Sequence, residues 1–289
     1  MGRRLVAVLM LIVAPALGAQ TLPDWISPKG HDEPNVGRIL DTASGEWHSP
    51  QALLPRLAAA DYLVLGEQHD NPDHHALQLW LLEALAQRRD QATVALEMLD
   101  ADQQPAVEAL QKHDALPDQQ MLAASLDWAE GWDWALYGPI VRWALKHVDA
   151  LMPANLTDTE IRGLYQQPPT NSDVYDEQAR TALLEMIAQS HCDRLPQEHY
   201  PAMLAVQQGR DQRMAQVLGS AATPAVILVG SVHARKDLGL ALHWRNANTE
   251  KPLTLIMVEA GKPLPGPEQA DLVWLTAALP AQDYCAGWE

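Results

Sequence analysis

Short apolar runs that alternate with helix-length stretches constrain the fold of this 289-residue chain most strongly. The clearest runs cover residues 62–65, 93–96, 224–229 and 253–258, and weaker ones cover residues 150–154 and 271–275. Such continuous apolar runs are typical of strands that are buried on both faces of a parallel sheet. The sequence therefore predicts an α/β fold with a mostly parallel sheet flanked by helices, its last strand near the edge.

Helical patterns fill the intervals between these strands. We predict helices over residues 51–59, 71–89, 102–111 and 237–245, and one that ends near His147. The Asn71-Pro72-Asp73 sequence is a helix-start signal, because proline is tolerated in the first turn. Residues 157–222 predict a helical insertion between the third and fourth strands, and residues 20–60 predict a lead-in arm.

Polar side chains follow most of the predicted strands at the point where each strand ends. Ligands of parallel sheets bind at the carboxyl ends of the strands, so these side chains are candidates for one polar pocket. In chain order they are Glu67 and His69, Glu97, Asn155, Ser231 and His233, and Glu259. The alternative is that they are ordinary helix caps and solvated turn residues.

Carboxylates and imidazoles in one pocket support several kinds of chemistry. Glu67, His69, Glu97 and His233 are suitable ligands for a divalent metal such as zinc, manganese or iron. The same groups suit general-base catalysis, with His69 or His233 tuned by a nearby glutamate. A third interpretation is the polar floor of a ligand pocket without chemistry.

The N-terminal residues 1–19 have the order of a bacterial signal peptide. Arg3 and Arg4 precede an apolar run over residues 5–13, and small residues follow up to Ala19. This order predicts export with cleavage after Ala19, and a mature domain over residues 20–289. A buried N-terminal helix is the alternative. No cysteine lies directly after the apolar run as a site for a lipid anchor, which favours a periplasmic protein over a lipoprotein.

Charge and cysteine content narrow the partners and the compartment. The formal net charge of -17 argues against nucleic acid and anionic membranes as partners, because both repel an acidic surface. The two cysteines, Cys192 and Cys285, predict a disulfide in an oxidising compartment. Two free thiols or a metal site are the alternatives for this pair. The 10 tryptophans suit both a core and a flat ligand.

Several motifs, in the same order along the chain, resemble the ChaN-type haem-binding proteins. They are Leu-Gly-Glu-Gln-His-Asp-Asn-Pro-Asp-His-His at 65–75, Ala-Leu-Glu-Met at 95–98, Trp-Ala-Leu-Tyr-Gly-Pro at 134–139, Ala-Asn-Leu at 154–156 and Gly-Ser-Val-His-Ala-Arg at 230–235. His191-Cys192 and the tail at 283–285 are similar to the paired cysteines of that family.

The resemblance implies haem binding outside the cytoplasm, in bacterial haem and iron uptake, transport or storage. It also implies haem held by tyrosine at the interface of a homodimer, which haem itself induces. A haem-uptake receptor or a periplasmic carrier is then the expected partner. Members of the family are often lipoproteins, and this chain departs from that pattern.

Several residues are candidate haem contacts on this basis. Tyrosinate suits ferric haem, and Tyr137 lies beside tryptophans while Tyr175 lies in an acidic stretch that raises the pKa of a phenol. His74 and His75 lie in the first turn of a helix, whose N-terminus favours an anion. Arg235 and Lys236 suit the propionates. Packing of Tyr137 in the core and solvation of the other side chains are the alternatives.

The same glutamate and histidine arrangement also resembles a wider group of erythromycin-esterase-like hydrolases and TIKI-type metal-dependent proteases. That resemblance implies an alternative function as a hydrolase that uses Glu67, His69, Glu97 and His233, with or without a divalent metal. The sequence leaves open whether the protein is an enzyme.

Overall fold

The computed structural model describes residues 21–169, 174–245 and 251–286. The predicted signal peptide, residues 1–19, lies outside these residues. The strands are β1 (Ile39–Asp41), β2 (Trp47–His48), β3 (Tyr62–Glu67), β4 (Thr93–Asp100), β5 (Ala150–Asn155), β6 (Ala225–Gly230), β7 (Leu253–Glu259) and β8 (Leu272–Thr276). The α-helices are α1 (Pro50–Ala59), α2 (Pro72–Ala86), α3 (Gln104–Gln111), α4 (Gln119–Ser125), α5 (Trp134–His147), α6 (Asp158–Gln166), α7 (Glu177–Ser190), α8 (Tyr200–Ser220) and α9 (Ser231–Ala234).

The strands form one sheet with the order β2-β1-β8-β7-β3-β6-β4-β5. The six strands from β8 to β5 are parallel, and β1 pairs antiparallel with both β2 and β8. The predicted α/β class and the mostly parallel sheet are confirmed. The order places β3, β6 and β4 side by side in the middle of the sheet.

One sequence prediction about this sheet was wrong. Residues 20–60 are more than a lead-in arm, because β1 and β2 lie in them and extend the sheet beyond β8. The strand β8 is therefore the third strand from this edge. Strands of three and two residues are too short to produce a recognisable apolar alternation.

The core lies on both faces of the sheet. Leu63 and Leu65 of β3 pack in a cluster with leucines of α1 and α2. Tyr62 and Val64, which alternate with them, pack in a second cluster with residues of α8. This alternation follows from the two-residue period of a strand, and apolar residues on both faces make the run continuous.

The described residues between β5 and β6 are mostly helical. It contains α6, α7, a 3₁₀ turn at Gln197–His199 and α8. The predicted helix over residues 237–245 was wrong, since the structure has α9 directly after β6 and a 3₁₀ turn at Leu240–His243. This stretch is too short for apolar spacing to distinguish an α-helix from a tight turn. No helix in the described part of the chain is both long and apolar enough for a membrane span.

Candidate functional site

A cavity of about 310 Å³ lies at the carboxyl ends of the central strands. Its floor contains Glu67 at the end of β3, His69 in the following loop, and Ser231 and His233 of α9. The opposite wall is apolar and comes from Leu183, Met186 and Ile187 of α7. The helical insertion thus covers the strand ends and closes one side of the cavity.

Glu67 organises the first group of side chains on this floor. Its carboxylate is 1% exposed, and its Oε1 atom accepts a hydrogen bond from the Tyr137 hydroxyl at 2.8 Å. The same oxygen lies 2.7 Å from Nδ1 of His69. Its Oε2 atom is buried without a hydrogen-bond partner, 3.4 Å from Nε2 of His75. A buried carboxylate oxygen without a donor is costly and is typical of functional sites.

The ring of His69 is the accessible member of this group, with its side chain 45% exposed. It makes an edge contact with Trp132 at 4.8 Å between ring centroids. The burial of part of the ring lowers its pKa, but the hydrogen bond and charge of Glu67 and the charge of Glu97 raise the pKa above its ordinary value. With Nδ1 donating to Glu67, Nε2 remains free to accept a proton or contact a ligand.

The His69 ring also lies close to the end of β6 at Gly230. A methyl group added there would lie 2.8 Å from Cε1 and Nε2 of His69. The backbone N–H of Gly230 donates to Oε2 of Glu97 at 2.7 Å. Gly230 therefore leaves room for the His69 imidazole. Its backbone also contacts Glu97, which belongs to a second group of buried side chains.

The second group consists of Glu97, His233 and Asp211. His233 contacts Asp211 Oδ1 through Nδ1 at 2.7 Å, and its Nε2 atom lies 3.4 Å from Oε1 of Glu97. Gln207 of α8 reaches both His233 and Asp211 at 3.1 and 3.3 Å. All three ionisable side chains are buried, which makes this an unusually charged interior.

The charges within this group stabilise one another. Burial lowers the pKa of His233, but Glu97 and Asp211 outweigh burial and raise it to about 9. Burial raises the pKa of Glu97, but His233, His69 and the Gly230 N–H bring it below its ordinary value. For Asp211, burial prevails over His233 and raises the pKa. We therefore assign a protonated imidazole to His233 and a carboxylate to Glu97 at neutral pH.

His74 and His75 are buried rather than solvated. Nδ1 of His74 accepts from the Gln68 N–H at 2.9 Å, and its Nε2 atom lies 2.9 Å from Thr276 Oγ1. Burial lowers the pKa of His74 to about 3, so its ring is neutral. Nε2 of His75 contacts the His69 carbonyl at 3.0 Å. Both rings fix the loop between β3 and α2, and their predicted contact with haem is untested.

The two tyrosines that the sequence singled out as iron ligands are also buried. Tyr137 is 1% exposed, and burial together with Glu67 raises the pKa of its hydroxyl far above the ordinary value. Burial and Asp211 likewise raise the pKa of Tyr175, whose hydroxyl lies 3.5 Å from that carboxylate. These surroundings disfavour tyrosinate at either position, and which residue binds iron remains a prediction.

Other predicted site residues lie away from this floor. The Asn155 side chain accepts from the neighbouring Leu156 N–H, and Glu259 accepts from Asn71 Nδ2 at 2.7 Å as a buried structural partner. Lys236 forms an ion pair with Asp271. Arg235 pairs with Asp237 and lines a neighbouring pocket of about 220 Å³.

The two cysteines form a disulfide, which confirms that prediction over free thiols and a metal site. The Cys192–Cys285 bond joins positions 93 residues apart, with an S–S distance of 2.06 Å. It ties the C-terminal tail to the residues that follow α7. Next to it, the exposed Tyr284 hydroxyl donates a hydrogen bond to Asp70.

The four residues that the sequence offers as metal ligands lie in two pairs. Within residues 21–169, 174–245 and 251–286, no group of three or more His, Cys, Asp or Glu side chains has the arrangement of a metal site. The four candidate ligands are instead divided between two carboxylate–imidazole pairs, Glu67–His69 and Glu97–His233.

Sequence reasoning missed three contributors to this region: Asp211, Gln207 and Asp70. The first two lie in α8, which is polar along most of its length, so no local signal distinguished them. Asp70 belongs to a motif that was recognised, but its partner Tyr284 is 214 residues away. Only the folded chain brings these groups together.

Comparison with known proteins identifies the family. The chain is similar to a solved structure of ChaN of Campylobacter jejuni that describes cofacial haem binding, with 27% sequence identity and a TM-score of 0.73. The match covers 82% of this chain and 95% of that one. No curated protein matches. The family model described as haem-binding uptake, Tiki superfamily, ChaN matches residues 53–243, and the chain therefore belongs to the ChaN family of haem-binding uptake proteins.

Proposed function

We propose that the protein is an exported haem-binding protein of bacterial haem and iron uptake, and that it holds haem at the cavity between the strand ends and α7. The observation that carries this proposal is the two-sided character of the cavity. Its α7 wall is apolar, whereas its floor contains imidazole and carboxylate groups. Haem has an apolar porphyrin ring, a central iron cation and two propionate carboxylates at one edge, so it requires both kinds of surface.

The residues around the cavity fit these requirements. Leu183, Met186 and Ile187 offer apolar contact to a flat ring. The neighbouring pocket shares Gln68 and Ser231 with the cavity and adds the cations Arg235 and Lys262. On this proposal they would pair with the propionates, in the case of Arg235 in addition to its contact with Asp237. Haem supplies a ferric centre that prefers hard anionic or imidazole ligands.

The size of the cavity supports a haem that is only partly enclosed. At about 310 Å³ it lies at the lower limit of small-molecule sites, which span about 300–1,000 Å³. The exposed part of the ring then needs another apolar cover. We infer a homodimer formed around haem, with a partner copy as that cover, as the cofacial haem binding of the Campylobacter jejuni relative also suggests.

Export to the periplasm rests on the sequence of residues 1–19 and on the disulfide. Disulfides persist in oxidising compartments and are rare in the cytosol. The Cys192–Cys285 bond therefore supports the exported location that the signal-peptide pattern predicts. A haem-uptake receptor or a periplasmic carrier would deliver or receive the haem.

Haem titration of the purified mature chain tests the binding function. We expect a Soret band that saturates at one haem per chain. This stoichiometry should not depend on the protein concentration, as long as that concentration is well above the dissociation constant. Substitution of the apolar wall by Leu183→Asp and Ile187→Asp is expected to weaken binding, whereas Thr181→Asp on the exposed face of α7 is the matched control. Titration without saturation would contradict the proposal.

A second candidate function, as a hydrolase, is favoured by the Glu67–His69 pair. Nδ1 of His69 contacts the carboxylate at 2.7 Å, which leaves Nε2 accessible as a general base at the cavity. We expect any ester or peptide cleavage to be lost in His69→Asn and kept in His147→Asn. Equal rates for these two variants would contradict catalysis by His69.

A further inference from the structure

The helix α7 is held unevenly along its length. Ala179 and Leu183 in its first half are buried, and they pack in a small core with Leu204 of α8 and Leu238 beyond α9. In the second half, residues 185–190, no side chain is buried. Burial therefore fixes the first half of α7 more firmly than the second.

The less buried half of α7 forms much of the cavity wall. Met186 and Ile187 pack at the margin of the small core, and Ser190 is exposed. All three residues line the cavity at the strand ends. A segment without buried side chains opens at a low free-energy cost, so the position of this wall depends on what holds the end of the helix.

The end of α7 is held by the disulfide. Cys192 lies two residues beyond Ser190, the last residue of the helix, and is bonded to Cys285. Cys285 belongs to the C-terminal tail, residues 279–286. No described residue of this tail lines the cavity, so the tail can act on the cavity only through α7.

The tail is itself attached to the opposite side of the cavity. It leaves the core at Leu279, whose N–H donates to Glu259 at the end of β7 at 2.9 Å. Further along, the Tyr284 hydroxyl donates to Asp70 in the loop between β3 and α2. The disulfide therefore joins the end of α7 to a segment that is anchored on the sheet.

The turn after α7 has an uncommon backbone conformation. Cys192 has a φ of 57° and Asp193 has a φ of 55°, both in the left-handed region. This region is unfavourable for a side chain such as cysteine, so the contacts of the turn must offset its cost. The disulfide is one of these contacts, and its loss would let the turn and the end of α7 relax.

The disulfide is accessible in the folded protein. Cys192 and Cys285 are both partly exposed, and residues 280–284 beside Cys285 are exposed. Thiol–disulfide exchange requires a thiolate to reach one of the two sulfur atoms. A reductant can therefore approach this bond without unfolding of the core.

We propose that the Cys192–Cys285 disulfide is a site of thiol–disulfide exchange with a dithiol reductant, and that its reduction frees residues 185–190 and opens the cavity. The inference goes beyond the proposed haem-binding function, because it holds for any ligand between α7 and the strand ends. The protein would hold such a ligand when oxidised and release it when reduced.

The exchange proceeds in two balanced steps. A thiolate of the reductant attacks one sulfur of the protein disulfide and forms a mixed disulfide, while the other cysteine leaves as a thiolate. The second thiol of the reductant then displaces the first cysteine and closes the disulfide of the reductant. Two electrons and two protons pass to the protein, which ends with two thiols.

Reduction separates the tail from the helix. The tail keeps its hydrogen bonds to the sheet side, whereas residues 185–190 keep only partly buried contacts. The wall is then closed in only a fraction of the molecules. A ligand that requires the closed wall binds with an affinity reduced by that fraction.

Hydrogen exchange of the mature, haem-free protein tests this coupling. The oxidised protein, the protein reduced with dithiothreitol and the reoxidised protein are compared. We expect at least about tenfold faster exchange over residues 185–190 after reduction, because a helix end without buried side chains opens easily. Exchange over α2 should stay the same, and reoxidation should restore the slow exchange of residues 185–190.

Methyl NMR of the methionines reports on the wall itself. Met186 lines the cavity, whereas Met214 of α8 is fully buried and serves as the internal control. The Met186 signal, assigned with Met186→Leu, should shift and narrow on reduction. The Met214 signal should stay unchanged.

The variant Cys192→Ser/Cys285→Ser is the matched control for the reductant. It should show the exchange and the Met186 signal of the reduced wild type, and dithiothreitol should change neither. Reduced wild-type protein provides the same comparison if the variant folds poorly. Because no haem is present, these readouts are independent of the haem titration.

Two results would overturn the inference. One is a disulfide that dithiothreitol cannot reduce while the protein stays folded, which would exclude the exchange site. The other is complete reduction with unchanged exchange over residues 185–190 and an unchanged Met186 signal, which would exclude a role of the disulfide in closing the cavity.

Discussion

Glu67 shows how single residues create the unusual interior of this protein. It is almost fully buried, and its carboxylate contacts the phenol of Tyr137 and the imidazoles of His69 and His75. Burial of a carboxylate is costly unless its oxygens are hydrogen-bonded, and one of the two oxygens is not. Stability alone does not account for such an arrangement, so we attribute it to the ligand site.

His233 makes the stability of the fold depend on pH. Its pKa is raised to about 9 in the folded protein, compared with about 6.5 when unfolded. A raised pKa contributes stability that is fully present below about pH 6.5 and is lost as the pH rises through about 9. We predict that the wild type loses a few kcal/mol of unfolding free energy across this range, on the order expected from such a shift.

The measurement is urea unfolding at several pH values between 6 and 10, about the range over which this histidine titrates. His233→Gln should lower stability at pH 6, about 1 to 3 kcal/mol for a lost buried charged hydrogen bond, and should flatten the dependence above that pH. His48→Gln, at a partly exposed histidine remote from this cluster, serves as the control. The same steep loss in His233→Gln as in the wild type would contradict this assignment.

At the scale of elements, the start of α2 is tied to two distant parts of the chain. Asn71 caps the helix through Oδ1, which accepts from the Asp73 N–H at 2.9 Å, and its Nδ2 donates to buried Glu259. Asp73 in turn accepts from the N–H groups of Ile26 and Ser27. The first turn of α2 therefore fixes both the loop that carries His69 and the N-terminal residues that run beside it.

We predict that Asn71→Ala lowers the unfolding free energy by about 1 to 3 kcal/mol, because the cap and a buried donor are lost together. Ser49→Ala, at the exposed cap of α1, loses one hydrogen bond of 3.3 Å and should cost about 1 kcal/mol or less. Denaturant unfolding of both variants checks this order. Equal losses would show that the Glu259 contact adds nothing.

Two glycines at the ends of β3 and β6 have different reasons for being glycine. A methyl group at Gly66 would lie 2.6 Å from the Ala234 side chain and 3.4 Å from the Ser231 Cα, both in α9. A methyl group at Gly230 would meet Cε1 and Nε2 of the His69 ring at 2.8 Å. The first contact involves a packed element, and the second involves an accessible side chain that can rotate.

We therefore predict that Gly66→Ala destabilises the protein by about 1 to 3 kcal/mol through overpacking. Gly230→Ala should change stability by less than about 1 kcal/mol, while it moves the His69 ring away from the cavity floor and alters the imidazole signals in NMR spectra. Unfolding free energies and histidine spectra of the two variants provide the check. Unchanged His69 signals in Gly230→Ala would contradict the close contact.

At the scale of the whole molecule, the partly enclosed cavity predicts assembly around haem. A porphyrin that packs on the α7 wall leaves its other apolar face in contact with water. Burial of that face in a dimer would contribute about 25 cal/mol of association free energy for each Å² of apolar surface. We predict a change from monomer to dimer on haem addition, with one haem per chain. Light scattering coupled to size-exclusion chromatography, with and without haem, provides the measurement. A monomer at saturating haem would contradict the dimer.

The sequence was sufficient to predict the central strands of the sheet, but not the two short strands at its edge. The strands β3, β4, β6 and β7 are continuous apolar runs, and their period and length are local properties of the sequence. The short β1 and β2 have no such signal, because their pairing with β8 depends on where the rest of the sheet ends. The sheet order likewise depends on crossovers, which no local pattern encodes.

The candidate site was likewise predictable only in part from the sequence. The sequence by itself determined that Glu67, His69, Glu97 and His233 lie at strand ends, since polar residues follow apolar runs there, and it indicated the disulfide through the cysteine count. Only the tertiary structure decided their partners: Tyr137 on Glu67, Asp211 on His233 and Tyr284 on Asp70. The physical reason is that strand ends are set by neighbouring residues, whereas pairing and burial of charge depend on chain segments far apart in sequence.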